Sequence, residues 1–468
     1  MSEKNAAGGL GVASFSGIVP SLAQVADLGP PRSEIGVGGL MPWAGALYVL
    51  NYLSHRRRTG SGTSLRRINA RMEMEVVPET RGVDGTYANR MVHDPSNQLV
   101  IGPHVIDAQH QIRTVKELTE LRITGTAVHL ADPQNLVYML GMEGELFELN
   151  VRTLACKQIY DLNAELGLEG ESRVHFKDCY CAYGRLIVCS NDYFEDDFLG
   201  KREQGRLAEF DGKTWTVLEK KPFVCIHGRR NFAPTIFATG WDRASAILKV
   251  FTNSDKTWRT YRLPKASHTF DHKWQTEWPR IREVEHERFL MDHHGMFYEL
   301  SPWAYGGRVW GVRPISTHLW VIPDFCTWRG MLVIGSDNAS PAHGDNLLCA
   351  EPQSGLWFGK TDDLWQFGKV KGWGGPWWET TVKAGEASDP YLMTGFEGKC
   401  LHLSADKEAA GFLVEVDFMG TGDFRPYVRL KLGQGRYAQH VFPPGFSAHW
   451  VRVVSEAGCV ATAQLHYT

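Results

Sequence analysis

Short segments rich in Val, Ile, Leu, Phe, Tyr and Trp recur along the chain between clusters of Gly, Asp and Asn, and this recurrence is the strongest constraint on the fold. Segment 137–150 (VYMLGMEGELFELN) matches segment 288–301 (RFLMDHHGMFYELS), since each reads as a strand, a short polar turn with Gly, and a second strand. Looser copies begin at residues 46, 98, 185, 245 and 331. The stretch 41–385 therefore contains seven repeated units.

The repeat predicts an all-β chain, with residues 41–385 forming a seven-bladed β-propeller of four-stranded antiparallel sheets. A series of unrelated β-sandwich domains is the competing interpretation, but the repeat is regular and no linker interrupts it. Residues 386–468 alternate apolar and polar side chains between Gly-rich turns, which predicts a small C-terminal antiparallel β-sandwich. Residues 1–40 are rich in Gly, Pro and Ser and predict an extended N-terminal arm.

Two local segments carry predictions of their own. Residues 161–169 (DLNAELGLE) form the one short stretch with helical character. The Trp-rich run 373–378 (WGGPWW) is expected on the outer strand of the seventh unit, packed against the tail domain.

Composition excludes several classes of protein. A hydrophobic fraction of 43% excludes a disordered chain, and a net charge of −3 gives no support for nucleic-acid or membrane partners. Nine Cys without a CxxC pair argue against a disulfide framework and a structural zinc site. The N-terminus shows no secretory signal, so a cytoplasmic protein or a mature secreted form is expected, and the oligomeric state is not indicated.

No metal-binding or nucleotide-binding motif is present, so no cofactor is predicted. The acidic insert 193–198 (YFEDDF) and the propeller axis are the two places considered for a Ca²⁺ ion.

The unusual residues are concentrated at one face of the predicted propeller. In a four-stranded up-and-down blade, the turn between the second and third strands shares a face with the link to the next blade. These connections hold most of the His, Arg and Trp outside the strands, as in segments 55–58, 191–206, 227–232 and 266–280. Because functional residues collect on loops of a rigid scaffold, a pocket at this face is the expected site.

A basic pocket with His and aromatic side chains suits an acidic sugar, because Arg binds a carboxylate through two parallel hydrogen bonds. The predicted partner is therefore an acidic oligosaccharide or polysaccharide. In a β-elimination, a cation neutralises the uronate carboxylate and a base removes the adjacent proton. His104 and Tyr87 are the candidate base and acid, in either order. The candidates for neutralisation are Arg90, Lys177, Arg229 and Arg230.

Further residues of this face are predicted to bind the substrate. They are His55, Asn89, Lys177, Arg229, Arg230, Trp274, Glu277, His294 and Asp337.

Two other functions stay open. Glycoside hydrolysis would need two carboxylates on either side of the scissile bond. The carboxylates of this face are Glu143, Asp192, Glu277, Asp292 and Asp337. The third possibility is a non-catalytic propeller that binds a glycan or a protein, since fold does not imply function.

Several phrases resemble a group of seven-bladed propeller proteins from microbial carbohydrate degradation. They are TYANRMVHDPSNQLVIGPHVID, YRLPKASHTFD, TEWPRIRE, LMDHHGMFYEL, RPISTHL, DFCTWRG and SGLWFGKTDDLWQFG. The characterised enzymes to which this group is similar are the rhamnose–glucuronate lyases and α-L-rhamnosidases of arabinogalactan breakdown. The resemblance implies an exo-acting enzyme that releases terminal rhamnose from glucuronate, with a His near the propeller centre. His104, expected at the end of the second strand of its unit, is the position matched to that His.

Overall fold

The computed structural model describes residues 35–53, 65–80, 86–168, 174–192, 205–229, 234–266, 278–304, 308–309, 311–337, 354–408 and 410–468. These residues form an all-β fold with one short α-helix. None of their helices is long and apolar enough to cross a membrane. The predicted residues His55, Arg230, Trp274 and Glu277 and the acidic insert 193–198 lie outside the described residues.

Consecutive strands pair with each other in short antiparallel meanders, named I to VII here in chain order. Meander I comprises β1 (Ile35–Trp43), β2 (Ala46–Leu53), β3 (Leu65–Ile68) and β4 (Met74–Val76). After β5 (Thr86–Tyr87), meander II comprises β6 (Arg90–His93), β7 (Gln98–Ile101), β8 (His104–Asp107) and β9 (Ile112–Thr114). Meander III comprises β10 (Arg122–Val128), β11 (Leu136–Gly141), β12 (Glu145–Asn150) and β13 (Cys156–Asp161).

The pattern continues through the middle of the chain. Meander IV comprises β14 (Val174–Ala182), β15 (Arg185–Asp192), β16 (Arg206–Phe210) and β17 (Trp215–Glu219). Meander V comprises β18 (Phe223–Gly228), β19 (Thr235–Trp241), β20 (Ala246–Thr252) and β21 (Thr257–Leu263). Meander VI comprises β22 (Arg280–Glu285), β23 (Arg288–His293), β24 (Met296–Leu300) and β25 (Arg313–Thr317). Meander VII has three strands in the described residues, β26 (Val321–Trp328), β27 (Met331–Asp337) and β28 (Ser354–Gly359).

The C-terminal part forms two groups of antiparallel strands. One sheet has the order β29 (Gly372–Val382), β36 (Cys459–Tyr467), β31 (Lys399–Ala405) and β34 (Tyr437–Val441). The other group has the order β30 (Tyr391–Leu392), β35 (Trp450–Ser455), β32 (Gly411–Asp417) and β33 (Arg425–Lys431). It continues the sheet of meander V, because β21 pairs in parallel with β30.

The Trp-rich run lies in a different place from the prediction. Its strand, β29, pairs with β36 of the C-terminal sheet and is not an outer strand of meander VII. Trp377 packs in the core shared by both groups of C-terminal strands, together with Leu401, Phe412 and Val453. The predicted domain boundary at residue 386 falls after this strand.

The helical elements are short. The α-helix α1 (Leu162–Glu165) lies inside the segment predicted to be helical, and the side chain of Asp161 caps it by accepting from the Asn163 amide. Gly167 follows with a φ of 66°, which ends the helix in the left-handed region. Single 3₁₀ turns cover Pro78–Thr80, Asp94–Ser96, Lys116–Leu118 and Thr361–Gln366.

The chain divides into two compact units, residues 1–122 with 323–363 and residues 123–322 with 364–468. In the first unit, Val37, Leu47, Val333 and Phe358 belong to one buried cluster, which joins meanders I and VII. Meanders III to VI and the C-terminal strands belong to the second unit. In meander V every residue of β19 and β20 is buried, so both of its faces are covered by protein.

Candidate functional site

The inner-strand cluster consists of Lys177, Trp278 and Arg280, which lie on or next to the first strands of meanders IV and VI. The Lys177 ammonium lies 4.7 Å from the centroid of the Trp278 ring, and the Arg280 guanidinium lies 5.0 Å from it. All three side chains are at most 3% exposed. Two cations thus share one indole in a desolvated environment, where cation–π attraction is strongest.

Arg280 is fixed by backbone groups. One of its nitrogens donates to the carbonyls of Val224 at 3.1 Å and Pro279 at 3.0 Å. Since Val224 belongs to β18, the guanidinium connects the first strands of meanders V and VI. A planar donor group held in this way has a fixed orientation, which suits recognition of a planar anion.

A half-buried carboxylate, Asp178, lies close enough to interact electrostatically with Arg280. Its oxygens accept from the backbone amides of Cys179 and Ile226, both at 2.9 Å. Burial raises the pKa of Asp178, whereas the charges of Arg280 and Arg282 oppose this rise. The first strands of meanders IV and VI therefore carry electrostatically coupled charges, to which the first strand of meander V contributes backbone hydrogen bonds.

The histidine turn comprises His293, which ends β23, and the two hairpin residues His294 and Gly295, which join β23 to β24. His294 has a φ of 50° and Gly295 a φ of 76°, so this two-residue hairpin turn lies in the left-handed region. His293 Nε2 lies 2.9 Å from the Gly240 carbonyl, and its Nδ1 lies 2.7 Å from Nδ1 of His294. Because a carbonyl only accepts, His293 donates through Nε2, and in the neutral pair His294 donates from Nδ1 and has its lone pair on Nε2.

Asp292 connects the histidine turn to the inner-strand cluster. It is directly opposite Arg280 in the pairing of β22 with β23. Its carboxylate accepts from Nε2 of His318 at 2.8 Å, and His318 Nδ1 accepts from the Trp320 amide at 3.2 Å. The same end of meander VI thus carries a guanidinium, a carboxylate and three imidazoles.

The predicted residues of the first unit are held by protein groups. Tyr87 is buried and its hydroxyl donates to the carbonyls of Thr119 at 2.6 Å and Leu118 at 3.1 Å. The Asn89 amide donates to the Gly102 carbonyl at 3.1 Å.

Arg90 binds a carboxylate of the protein itself. Its Nε and one terminal nitrogen donate to the two oxygens of Asp324, at 2.6 and 3.2 Å. Asp324 is fully buried and also accepts from the Leu40 amide at 2.8 Å. Arg90 and Asp324 therefore form a bidentate ion pair inside the first unit.

His104 begins the third strand of meander II, β8, whereas the sequence placed it at the end of the second strand. The second strand, β7, ends earlier at Ile101. The His104 ring is 1% exposed, and its Nδ1 lies 3.0 Å from the Thr114 hydroxyl. Burial lowers the pKa of His104 to about 4, so the ring is neutral at physiological pH.

The sequence predicts Arg229 at one end of meander V, and the structure places it at the opposite end. The sequence assigned segment 227–232 to a link between units, but in the structure residues 227–228 end an additional first strand, β18. Arg229 therefore lies between the first and second strands of meander V. Its side chain pairs with Glu283 at 3.3 Å, and its carbonyl accepts from the Tyr183 hydroxyl.

Of the predicted carboxylates, the structure describes two side chains, those of Glu143 and Asp292. Glu143 lies in the turn between β11 and β12, and its backbone carbonyl accepts from the side-chain amide of Asn163 at 2.6 Å. Asp192 and Asp337 end β15 and β27. Within the described ranges, no group of three or more His, Cys, Asp or Glu side chains could hold a metal ion.

The structure adds two residues that sequence reasoning did not single out, Trp278 and Arg280. Both end the link 266–280, which was recognised as rich in His and Trp. The signal available in the sequence was their position on either side of Pro279, just before a strand. Their contact with Lys177 could not be predicted, because Lys177 is about a hundred residues away in the chain. Of the predicted residues, Lys177 lies in the inner-strand cluster, His294 in the histidine turn, and Asp292 next to both.

Comparisons with known proteins give no family assignment. No protein-family model matches the chain, and no curated protein matches it in sequence. Among solved structures it is similar to that of U3-55K, at 9% identity and a TM-score of 0.43 over 69% of this chain and 95% of that one. It is also similar to a luciferin-regenerating enzyme, at 10% identity and a TM-score of 0.38 over 73% of this chain and 96% of the other. At these values the function has to be argued from the site itself.

Proposed function

We propose that the protein is a carbohydrate-active enzyme that cleaves an acidic glycan by β-elimination and releases a terminal sugar, such as rhamnose, from glucuronate. One observation carries the proposal: two buried cations, Lys177 and Arg280, lie on the same indole ring. Such a pair offers a carboxylate a fixed bidentate partner and a second positive charge, with an aromatic face beside them.

The chemistry follows from neutralising the uronate. When cations pair with the carboxylate, the proton on the adjacent C5 carbon becomes more acidic. A base removes that proton, the C4–O4 bond breaks, and a double bond forms between C4 and C5. The departing sugar oxygen takes the electron pair and a proton. We assign Lys177 and Arg280 to the carboxylate and Nε2 of His294 to the base.

The sequence analysis supports a second assignment, in which His104 and Tyr87 are base and acid, in either order, and Arg90 neutralises the carboxylate; the resemblance supports His104 alone among them. In the structure these three side chains contact Thr114, backbone carbonyls and Asp324, respectively. The two assignments use different units of the chain, so variants distinguish them.

The proposal includes the architecture predicted from the repeat. We propose that meanders I to VII are the seven blades of one β-propeller and that the C-terminal strands form a β-sandwich. The regular succession of antiparallel meanders supports the first part, and the core shared by Trp377, Leu401, Phe412 and Val453 supports the second.

The test is incubation with an arabinogalactan capped by rhamnosyl-glucuronate, such as gum arabic, with ultraviolet absorbance and released monosaccharide followed together. We expect rhamnose release with rising absorbance from the 4,5-double bond. Lys177→Met and Arg280→Met should each lower kcat/KM by about a hundredfold, and Arg280→Lys by less, because Lys retains the charge without the planar fork. Lys213→Met, on an exposed hairpin, is the matched control.

Other outcomes identify the alternatives. Released sugar with flat absorbance means hydrolysis and rejects the lyase. Full activity of Lys177→Met and Arg280→Met together with an inactive His104→Gln rejects the site in favour of the first unit. Binding of the glycan without any turnover indicates a non-catalytic protein.

A further inference from the structure

A cavity of about 870 Å³ lies in the second unit, and its described lining includes none of the three residues of the inner-strand cluster. Its lining comes from the segment after β21, from the end of β25 and the residues after it, from the segment 368–371 before β29, and from β29, β36 and the residue after β36. Trp373, His466, His318 and Leu319 supply most of its large side chains. We call it the Trp373 cavity, and its volume is in the range of small-molecule sites.

Trp373 is held as a rigid wall of this cavity. Its backbone amide and carbonyl both bond to Lys265, at 2.9 and 2.8 Å. The Lys265 ammonium lies 5.4 Å from the indole centroid and donates to the Asp242 carbonyl at 2.6 Å. Because the ring is already fixed, a ligand that stacks on it loses little side-chain entropy from the protein.

His318 is a second fixed ring. Both of its nitrogens are engaged, one with Asp292 and one with the Trp320 amide. It also packs on Phe297, with ring centroids 4.5 Å apart. The imidazole therefore presents an oriented surface to the cavity rather than a mobile side chain.

The rim of the cavity is apolar and basic. Leu319 is 96% exposed and adds an apolar side chain to the rim. Lys369 pairs with Glu397 at 2.9 Å, whereas Lys371 is exposed and has no acidic partner among the described residues. The described lining contains no Asp or Glu. The cavity thus combines ring surfaces with a lysine charge that no acidic side chain of the described lining faces.

We propose that the Trp373 cavity is a second carbohydrate site, which binds a uronate ring of the acidic glycan by stacking on Trp373 and pairing its carboxylate with Lys371. The choice of ligand rests on the proposed function. Sugar rings present apolar C–H faces that suit an indole, and the carboxylate supplies the charge that complements Lys371.

The experiment titrates methyl glucuronide and methyl glucoside into Lys177→Met, a variant with a weakened inner-strand cluster, and follows binding by NMR. We expect glucuronide binding that perturbs the Trp373 and His466 signals. Adding Lys371→Ala should weaken the glucuronide about fivefold and the glucoside less than twofold. Adding Trp373→Ala should weaken both about tenfold or more.

Leu319→Asp is expected to fold normally, because this side chain is almost wholly exposed, so its effect on binding can be read without a folding defect. Its new carboxylate should weaken the glucuronide severalfold and leave the glucoside nearly unchanged. Lys213→Ala and Trp365→Ala, both exposed, serve as matched controls and should bind like the parent.

The proposal is rejected if the glucuronide does not bind at millimolar concentration, or if Lys371→Ala and Leu319→Asp bind it like the parent. Its failure is separate from that of the proposed function. A lyase whose activity depends on Lys177 but not on Lys371 or Trp373 retains the inner-strand site and loses only the second one.

Discussion

Arg90 in the first unit and Arg280 in the second are both mostly buried guanidinium groups near the start of a first strand, yet their surroundings differ. Arg90 makes a bidentate pair with a fully buried carboxylate, Asp324. Arg280 donates to two backbone carbonyls and lies on an indole that a second cation, Lys177, also contacts. The first arrangement completes the fold, whereas the second concentrates positive charge at one aromatic ring.

The presence of an Arg in a sequence does not decide whether its charge binds a substrate or a carboxylate of the same chain. An Arg that is able to neutralise a substrate is equally able to neutralise an Asp of its own chain. The distinction depends on a partner 234 residues away for Arg90, which no local pattern indicates. Four changes would break or sharpen the comparison.

Arg90→Met should have the largest effect on stability. It leaves Asp324 buried without its guanidinium and should lower the free energy of unfolding by about 3–5 kcal/mol. Denaturant unfolding measures the change. Arg425→Met, which removes an exposed pair with Asp423, is the control and should cost less than about 1 kcal/mol. A loss of activity in Arg90→Met at unchanged stability would contradict the structural role.

His104 should make stability depend on pH. Its folded pKa of about 4 lies below the unfolded value of 6.5, so the unfolded chain binds the proton more readily. Stability is therefore complete above pH 6.5 and falls toward pH 4, by roughly 3 kcal/mol at most.

Unfolding of wild type and His104→Gln at several pH values measures this contribution. His449 has a similarly lowered pKa and stays in both proteins, so the variant should show a shallower slope and not a flat one. Equal slopes would mean that His104 is not buried as a neutral ring.

Tyr87→Phe removes a hydroxyl that donates to two backbone carbonyls. The expected cost is about 1 kcal/mol in the free energy of unfolding, with kcat/KM unchanged. If the variant instead loses a hundredfold or more in kcat/KM at unchanged stability, Tyr87 is the catalytic acid or base that the sequence analysis predicted.

Lys177→Met should have the smallest effect on stability. It gives up a cation–π contact but also removes the cost of burying a charge, so a net change below about 1 kcal/mol is expected. A destabilisation comparable to that of Arg90→Met would show that the inner-strand cluster serves the fold rather than a ligand.

The strand pattern could be predicted because it depends on neighbours in the chain. The segments 137–150 and 288–301 fold as the hairpins β11–β12 and β23–β24, as alternation and Gly-containing turns indicated. The strand at 223–228 was missed because its end overlaps the basic segment 227–232, which was interpreted as a link. Because of this error, the predicted position of Arg229 was at the wrong end of meander V.

The site could be predicted only in part. Lys177 and His294 were recognised from the concentration of basic and His residues at one end of the units. Trp278 and Arg280 acquire their significance from contacts with Lys177 and Val224, which the fold brings together from separate meanders. Such contacts depend on tertiary structure and leave no periodic signal in the chain.

The parallel pairing of β21 with β30 determines where the chain could be cut to build a chimera with another protein. Arg262 lies opposite Tyr391 there, its amide bonds to the Pro390 carbonyl, and its side chain joins Asp242 to Asp389. In addition, β29 lies before residue 386 but belongs to the C-terminal sheet. A chimera cut at residue 386 would separate strands that share one sheet, so a transplantable C-terminal module has to begin before Gly372 and carry a replacement for β21.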